Sequence, residues 1–230
     1  MSDISPAKNS YNTSDLVFKP LDLAGVKTLV DWAASEGWNP GLSDAELFYA
    51  ADPNGFYGCF IDEQLVAGGS VVSYGGEFGF MGLFIVKPEF RGIGIGAQLW
   101  HFRKSLLLSR LKKHAAIGMD GVVAMQPFYN QGGFDIHFRD ERHQRMGEVF
   151  ETHPNVSSVH HEDLDAILEY DQSCFGVDRK DFLVPWIKQP NGSALKYCLN
   201  QQIIGFAVIR KCQSGFKVGP LFADDEEVAE

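Results

Sequence analysis

The sequence predicts an α/β protein in which one unit of helices and mostly antiparallel strands occurs twice. Apolar stretches rich in β-branched and aromatic residues alternate with segments of helical periodicity along the chain. Polar turn residues connect several neighbouring stretches directly, and such short connections join antiparallel strands. The chain has 230 residues, which is enough for one large domain or two small ones.

The first unit begins with a strand and two helices. Residues 16–21 have the pattern of a short strand. Asp22 is a candidate N-cap, because its carboxylate can accept a hydrogen bond from the first turn of the next, amphipathic segment. Residues 43–51 form a second predicted helix, which ends at the Pro-Asn-Gly turn of residues 52–55.

Three further strands and a long helix complete the main part of this unit. Residues 56–61 and 65–74 are predicted strands joined by a hairpin turn, and residues 78–86 form a third, apolar strand. A glycine-rich loop and a helix to residue 110 come next. The unit is predicted to end with three short segments: a strand at 121–124, a helix at 126–131 and a strand at 134–142.

The second half repeats this order of elements. Its predicted segments are helices at 163–174 and 178–187, followed by strands at 195–199, 203–210 and 216–222. Two landmarks recur at nearly the same spacing, since Pro53 and Pro190 lie 137 residues apart and Gln64 and Gln202 lie 138 apart. Matching landmarks in the same order indicate a duplicated unit.

The second unit is predicted to be shorter than the first. No arginine or glycine follows its last strand, so it lacks a counterpart of the glycine-rich loop. We therefore expect four regions: a flexible leader at 1–15, a complete domain at 16–146, a linker near 147–155 and a partial second domain at 156–230.

Composition narrows the class of partner and the compartment. A net charge of −10 argues against nucleic acid or an anionic membrane as the main partner. The four cysteines form no C-x-x-C pair, which favours free thiols in a reducing cytoplasm. No stretch approaches the length of a membrane span, and the seven histidines show no metal-ligand spacing.

The loop after the third strand is the most informative segment of the chain. Arg91 is followed by three alternate glycines, Gly92, Gly94 and Gly96, at the start of the long predicted helix. Glycine lets successive backbone N–H groups converge, and a helix N-terminus adds partial positive charge. The loop therefore predicts a site for a phosphate-bearing ligand.

Two common phosphate-binding loops fit this segment poorly. A nucleoside-triphosphatase loop needs lysine and then serine or threonine after its last glycine, where this chain has Ala97 and Gln98. A dinucleotide-binding loop matches through Gly92, Gly94 and Ala97, but no acidic residue follows about 20 residues later as that fold requires. The first alternative fails, and the second remains an alternative to be tested by NAD binding.

Two motifs together resemble the GNAT N-acetyltransferases. The segment from Val86 through Pro88 and Arg91 to Gly96 is similar to that family's pyrophosphate motif, (Arg/Gln)-x-x-Gly-x-(Gly/Ala). Residues 128–134, Phe-Tyr-Asn-Gln-Gly-Gly-Phe, are similar to its second motif, Phe-Tyr-x-x-x-Gly-Phe. With its duplicated half, the chain resembles a subgroup with tandem acetyltransferase-like domains. This resemblance implies the GNAT fold, a mixed and mostly antiparallel central sheet flanked by helices, followed by a second, truncated GNAT-like domain.

The resemblance also implies a reaction and the residues that perform it. It implies acetyl-CoA as cosubstrate, no metal, and direct attack by a primary amine of a small molecule or peptide. Tyr129 matches the tyrosine that protonates the departing thiolate, and a phenol with a pKa near 10 suits that role. The implied CoA-binding residues lie at the end of the third strand and in the loop: Phe84, Ile85, Val86, Arg91, Gly92, Ile93, Gly94, Ile95, Gly96 and Ala97.

The sequence departs from the family at the general base. Many members carry a glutamate in the strand before the loop, but residues 78–83 contain none. Glu77 and Asp120 are the nearest carboxylates, and neither is assigned as the base. A non-catalytic acyl-CoA sensor or scaffold is therefore the alternative function. No motif identifies the amine acceptor.

Overall fold

A computed structural model describes residues 16–149 and 151–230, so the leader expected at residues 1–15 lies outside the described residues. The first half contains β1 (Val17–Pro20), α1 (Leu23–Ser35), α2 (Asp44–Ala51), β2 (Phe56–Ile61), β3 (Gln64–Tyr74), β4 (Phe78–Val86), α3 (Ile95–Arg110), β5 (Ala116–Gly118) and α4 (Gln126–Gln131). The second half contains β6 (Val156–Ser158), α5 (Leu164–Phe175), α6 (Lys180–Ile187), β7 (Gly192–Leu199), β8 (Gln202–Lys211), β9 (Phe216–Ala223) and α7 (Glu226–Ala229).

The two halves form two separate sheets with the same plan. The first has the strand order β1-β2-β3-β4-β5, antiparallel except that β5 is parallel to β4. The second has the order β6-β7-β8-β9 and is antiparallel throughout. In each half, one strand, two helices and three strands follow one another. The α/β fold and the predicted duplication are therefore visible in the topology.

Local sequence explains several element boundaries. The Asp22 carboxylate caps α1 by accepting a hydrogen bond from Gly25 N at 2.9 Å. The hairpin turns between β2 and β3 and between β7 and β8 each place two consecutive residues in the left-handed region. These residues are Asp62, Glu63, Asn200 and Gln201, with φ values of 47°, 63°, 49° and 66°. That conformation is the one expected of a tight two-residue hairpin.

A β-bulge in β4 determines the shape of the first sheet. Gly68 pairs with Ile85 and Ser70 pairs with Gly82, so three steps along β4 match two along β3. The extra residue falls at Leu83, whose φ is +47°. Beyond the bulge β4 diverges from β5, since β5 pairs only with the Phe78 end of β4. The β5-facing edge of β4 from Gly82 to Val86 has no partner strand in the described part of the chain.

Two predicted strands are wrong. Residues 121 and 122 have no regular secondary structure, Val123–Met125 form a 3-10 turn, and residues 134–142 are irregular. The strand that joins the sheet is instead β5, because Ala116–Gly118 reaches β4 before the bulge bends it away. The alternating Phe134, Ile136 and Phe138 find no partner strand among the described residues. Strand patterning without a partner edge does not produce a strand.

The two halves contact each other through α2, α6 and the α1–α2 loop, residues 36–43. They also meet where Phe175 of α5 packs against Tyr74 and Phe78. The buried Asp44 carboxylate accepts a hydrogen bond from Arg210 Nε at 2.9 Å, and the Arg210 guanidinium stacks on Trp186 at 4.6 Å. Phe48 of α2 also stacks on Trp186, with the ring centroids 5.7 Å apart. Gly41 forms a β-bridge with Cys212. The second half is therefore packed against the first by both apolar and ionic contacts.

Arg210→Met should lower the free energy of unfolding by about 3 kcal/mol, because it leaves the Asp44 charge buried without its partner. Lys27→Met is the matched control. Lys27 of α1 pairs with Glu46, which lies on α2 as Asp44 does, but both side chains of this pair are half-exposed. Lys27→Met should cost roughly 1 kcal/mol or less. Urea unfolding measures both values. Equal effects of the two substitutions would contradict a stabilising role for the buried pair.

Candidate functional site

The open edge of β4 forms one wall of the candidate site. Ile85 is buried in the core, whereas the neighbouring Phe84 and Val86 are half-buried. On one side these residues pair with β3, through Gly68 and Ala67. On the other side the strand has an unpaired edge, where alternate backbone N–H and C=O groups point away from the sheet. An extended ligand could add to this edge as a further strand.

The glycine loop, residues 91–97, lies directly after this edge. Its isoleucines anchor it: Ile95 is buried and Ile93 packs against the same core cluster. Its glycines stay open, because Gly92 and Gly94 have φ values of +77° and +90° and no atom lies within 4 Å of where a Cβ would stand. The alternation of isoleucine and glycine therefore fixes the loop on one side and leaves bare backbone on the other.

The N-terminus of α3 supplies uncompensated donors next to this backbone. Gly94 is the N-cap and has no side chain with which to cap the helix. The first amides of an α-helix have no intrahelical acceptor, and the helix dipole adds positive potential there. A diphosphate matches this donor set in charge. The loop therefore fits the group that the sequence motif implies.

Arg91 ties the loop to two other elements. Its Nε donates a hydrogen bond to the carbonyl oxygen of Val86 at 2.7 Å, and its guanidinium pairs with the carboxylate of Glu36 at the end of α1. The first contact fixes the loop relative to the open edge of β4. The second links it to the α1–α2 loop, so the position of Arg91 depends on both.

Tyr129 lies on α4 with 8% of its surface exposed. Its ring packs against Trp100 of α3, with the centroids 5.3 Å apart. Gly121 passes so close that a Cβ there would stand 2.8 Å from the Tyr129 ring. Burial raises the pKa of Tyr129, and the nearby charge of Arg103 partly opposes that rise. The phenol is therefore protonated at neutral pH and is equipped to donate a proton.

Trp100 connects the predicted site residues. Its ring lies 6.0 Å from Phe84 on the open edge and 5.3 Å from Tyr129. It also lies on α3, whose first turn begins in the glycine loop. The strand end, the loop and the tyrosine, which are far apart in sequence, thus surround the N-terminal half of one helix.

The two candidate carboxylates differ in position. Glu77 is exposed and forms an ion pair with Lys112. It directly precedes the first residue of β4, at the opposite end of the strand from the bulge. Asp120 is exposed and directly precedes Gly121, the residue that approaches the Tyr129 ring. Surrounding protein atoms partly desolvate its carboxylate and Asp140 lies nearby, and both raise the pKa of Asp120. The geometry favours Asp120 over Glu77, while no contact assigns either as a base.

Sequence reasoning missed three features of the site: the Leu83 bulge, the pairing of Glu36 with Arg91, and Arg103. Arg103 is fully buried on the face of α3 that also carries Leu99 and Leu107. The sequence contains an indication of its burial. Arg103 lies four residues from both leucines, and residues at this spacing share one face of a helix. The bulge and the ion pair left no such signal.

Neither a metal centre nor a membrane span is found in the described part of the chain. Within residues 16–149 and 151–230, no group of three or more His, Cys, Asp or Glu side chains could hold a metal ion. Over the same ranges, no helix has the length and apolar character needed to cross a membrane.

Comparisons with known proteins cover both halves of the chain. The acetyltransferase (GNAT) family model matches residues 23–134, and a second acetyltransferase (GNAT) domain model matches residues 167–230. Holothin acyltransferase from Pseudoalteromonas sp. (strain SANK 73390) is 27% identical over 213 residues, which are 92% of this chain and 71% of that protein. The uncharacterized N-acetyltransferase YitH of Bacillus subtilis is 22% identical, over 89% of this chain and 72% of that protein.

Solved structures share the fold at low sequence identity. A structure from Pyrococcus horikoshii superposes with a TM-score of 0.77 at 19% identity, covering 96% of this chain and 75% of that one. A GCN5-related N-acetyltransferase from Kribbella flavida has a TM-score of 0.52 at 16% identity, covering 94% of this chain and 60% of that one. With both halves matched by acetyltransferase models, the chain belongs to the GNAT family and carries two GNAT domains in tandem.

Proposed function

We propose that the first half of the chain transfers an acetyl group from acetyl-CoA to a primary amine of a small molecule or a peptide. The observation that carries this proposal is the meeting of three features around α3. They are the open glycine loop at its uncapped N-terminus, the unpaired edge of β4 and the buried Tyr129. The four free cysteines fit a reducing, cytoplasmic environment.

Donor binding follows from the first two features. The backbone amides of residues 92–97 bind the CoA diphosphate, with the dipole of α3 adding to the attraction. The Arg91 amide already donates to the Pro88 carbonyl at 3.2 Å. The outward groups of Phe84, Ile85 and Val86 hold the pantetheine arm as an added strand. The bulge at Leu83 then directs the acyl end toward the gap where β4 and β5 diverge.

The chemistry requires a polarised carbonyl and a proton for the leaving sulfur. Acetyl-CoA, when bound, supplies an acetyl group activated as a thioester. A backbone N–H at the β4 bulge donates to the thioester carbonyl oxygen as negative charge develops there. Tyr129 donates its phenolic proton to sulfur as the C–S bond breaks and the amine nitrogen forms the new C–N bond. The surplus proton of the amine passes to water, and the Tyr129 phenolate takes a proton back from water, so that an amide, a free thiol and the original phenol result.

The second half is proposed to form part of the acceptor site through the α1–α2 loop. Asn39 in that loop exchanges two hydrogen bonds with Ser214, at 2.7 and 2.9 Å, and Lys217 Nζ donates to the Trp38 carbonyl at 2.6 Å. The other end of the loop reaches the glycine loop through Glu36. The relative named holothin acyltransferase supports a small-molecule acceptor.

The second half is also proposed not to bind CoA in the manner of the first. The helix that comes after its last strand, α7, has Asp225 as its N-cap, and that side chain already accepts from Val228 N at 3.0 Å. Glu226 and Glu227 occupy its first turn. Acidic side chains at this position occupy the amide donors and repel a diphosphate.

Gly94→Ala should weaken CoA binding at least about tenfold, because a side chain at φ +90° forces the loop to rearrange. Gly176→Ala is the matched control, since that glycine also has a positive φ, +94°, and open space, but lies in the second half. Both variants should lose a similar, small amount of stability. Isothermal titration with CoA measures the difference, and equal binding by the two variants would contradict the proposed diphosphate site.

The same titration should give one CoA bound per chain, because the helix that follows the bulged strand is open and uncapped in the first half and self-capped in the second. NAD titrated in place of CoA should give no heat at this site. A stoichiometry of two would contradict the proposed asymmetry between the halves, and binding of NAD would favour the dinucleotide alternative.

Tyr129→Phe should reduce turnover by roughly a hundredfold or more while leaving the CoA dissociation constant within about threefold of wild type, since it removes only the acid. Tyr74→Phe is the control, because Tyr74 packs against Phe78 and Phe175 and is not part of the site. Thiol release across a library of primary amines is the assay. If CoA binds but no amine is acetylated, the alternative of a CoA sensor is correct.

A further inference from the structure

Arg103 occupies an unusual position for an arginine. It lies on α3 with 0% exposure, among residues that are otherwise apolar. Its Nη2 donates to the carbonyl oxygens of Ser70 in β3 and Gly82 in β4, the latter at 2.8 Å. Its Nε and Nη1 are also buried and have no hydrogen-bond partner in the described part of the chain. The fold thus buries a full charge and satisfies only part of it.

The sheet is built to accept this guanidinium. A Cβ at Gly69 would stand 2.3 Å from Cζ of Arg103, so only glycine leaves room at that point of β3. The ring of Phe84 lies over the same group, 5.1 Å from Cζ. Arg103 therefore touches β4 on both sides of the bulge residue Leu83, at the Gly82 carbonyl before it and at Phe84 after it.

The second half shows that the fold does not need a charge at this point. Its strand β9 carries the corresponding bulge, because Ala207 pairs with Leu221 and Ile209 with Val218. The glycine in the place of Gly82 is Gly219, and its carbonyl accepts a hydrogen bond from the neutral Trp186 Nε1 at 2.9 Å. A neutral donor is sufficient for the bulge where no CoA site is proposed. Of the two bulges, the one in the half that carries Tyr129 has the charged donor. Arg103 lies on α3 one turn after Trp100, whose ring contacts both Phe84 and Tyr129.

We infer that Arg103 is a positioning residue of the acyl-donor site, which fixes the β4 bulge and provides a buried positive charge beside Tyr129. This inference rests on the proposed function. The charge stabilises the negative charge that develops on the leaving sulfur and on the phenol as Tyr129 gives up its proton. Lys104, the next residue along α3, donates to the Gly132 carbonyl at the end of α4. Burial lowers the pKa of Arg103. A guanidinium nevertheless keeps its charge in proteins, including over the pH range in which tyrosines titrate.

The first test measures the Tyr129 phenol in the protein alone. The chain has seven tyrosines, so 3-fluorotyrosine is incorporated throughout, and the Tyr129 signal in fluorine NMR is assigned by its loss in Tyr129→Phe. Arg103→Met should raise the pKa of Tyr129 by about 0.5 or more, and Arg103→Lys should keep it near wild type. Arg110→Met is the control, because Arg110 lies on the same helix but pairs with Asp52. An unchanged Tyr129 pKa in folded Arg103→Met would overturn the inference.

The second test moves the guanidinium without removing it. Gly69→Ala should displace Arg103 and increase the rate of amide exchange at Leu83 and Phe84 about tenfold. When Arg103 has already been replaced by alanine, Gly69→Ala should cause little further increase in that exchange rate. This variant also covers the case in which Arg103→Met fails to fold. Independent, additive effects of the two changes would overturn the inference.

A third measurement separates this inference from the proposed function. Arg103→Lys and Gly69→Ala should lower turnover at least about tenfold with the CoA dissociation constant within about threefold of wild type. If wild type itself does not bind CoA, the proposed function fails. The Tyr129 pKa and the amide exchange would still show whether Arg103 fixes the bulge and acts on Tyr129. Loss of CoA binding in proportion to turnover would overturn the positioning role.

Discussion

The extra residue in β4 is the constraint on which the rest of the site depends. Pairing between β3 and β4 is maintained on both sides of Leu83, but the strand must bend there to accommodate one unmatched residue. Because of that bend, β5 pairs with β4 only near Phe78. The unpaired edge, the gap between the strands and the approach of the glycine loop to that gap all result from one shift of register.

The tandem arrangement separates this constraint from the chemistry placed around it. Both halves have the bulge, and in both a buried donor satisfies the carbonyl before it, Arg103 for Gly82 and Trp186 for Gly219. The halves differ in the segment after the strand, which is an open glycine loop in one and an acidic, self-capped helix in the other. Pro220 also removes a backbone N–H next to the second bulge. The bulge belongs to the fold, and the surrounding residues determine what each half can bind.

How much could be predicted from the sequence depends on the range of the interactions concerned. The Asp22 cap, the two hairpins and the glycine loop are set by neighbouring residues, and the structure has each of them where the pattern places it. Three other features join segments that are distant in sequence, so neighbouring residues do not predict them. They are the bulge, the pairing of Arg91 with Glu36 and the packing of Arg103 against Gly69. The strand predicted at 134–142 failed for the same reason, since its pattern is correct but no edge is in reach among the described residues.

The α1–α2 loop gives the second half a physical connection to the proposed donor site. At one end, Glu36 pairs with Arg91, which in turn donates to the Val86 carbonyl at the end of the open edge. At the other end, Gly41 bridges Cys212 and its amide donates to Asp44, the partner of Arg210. A displacement of the β8–β9 hairpin would therefore be transmitted along a loop of eight residues to the arginine that fixes the glycine loop. The second half is in this way physically connected to the loop that we propose binds CoA.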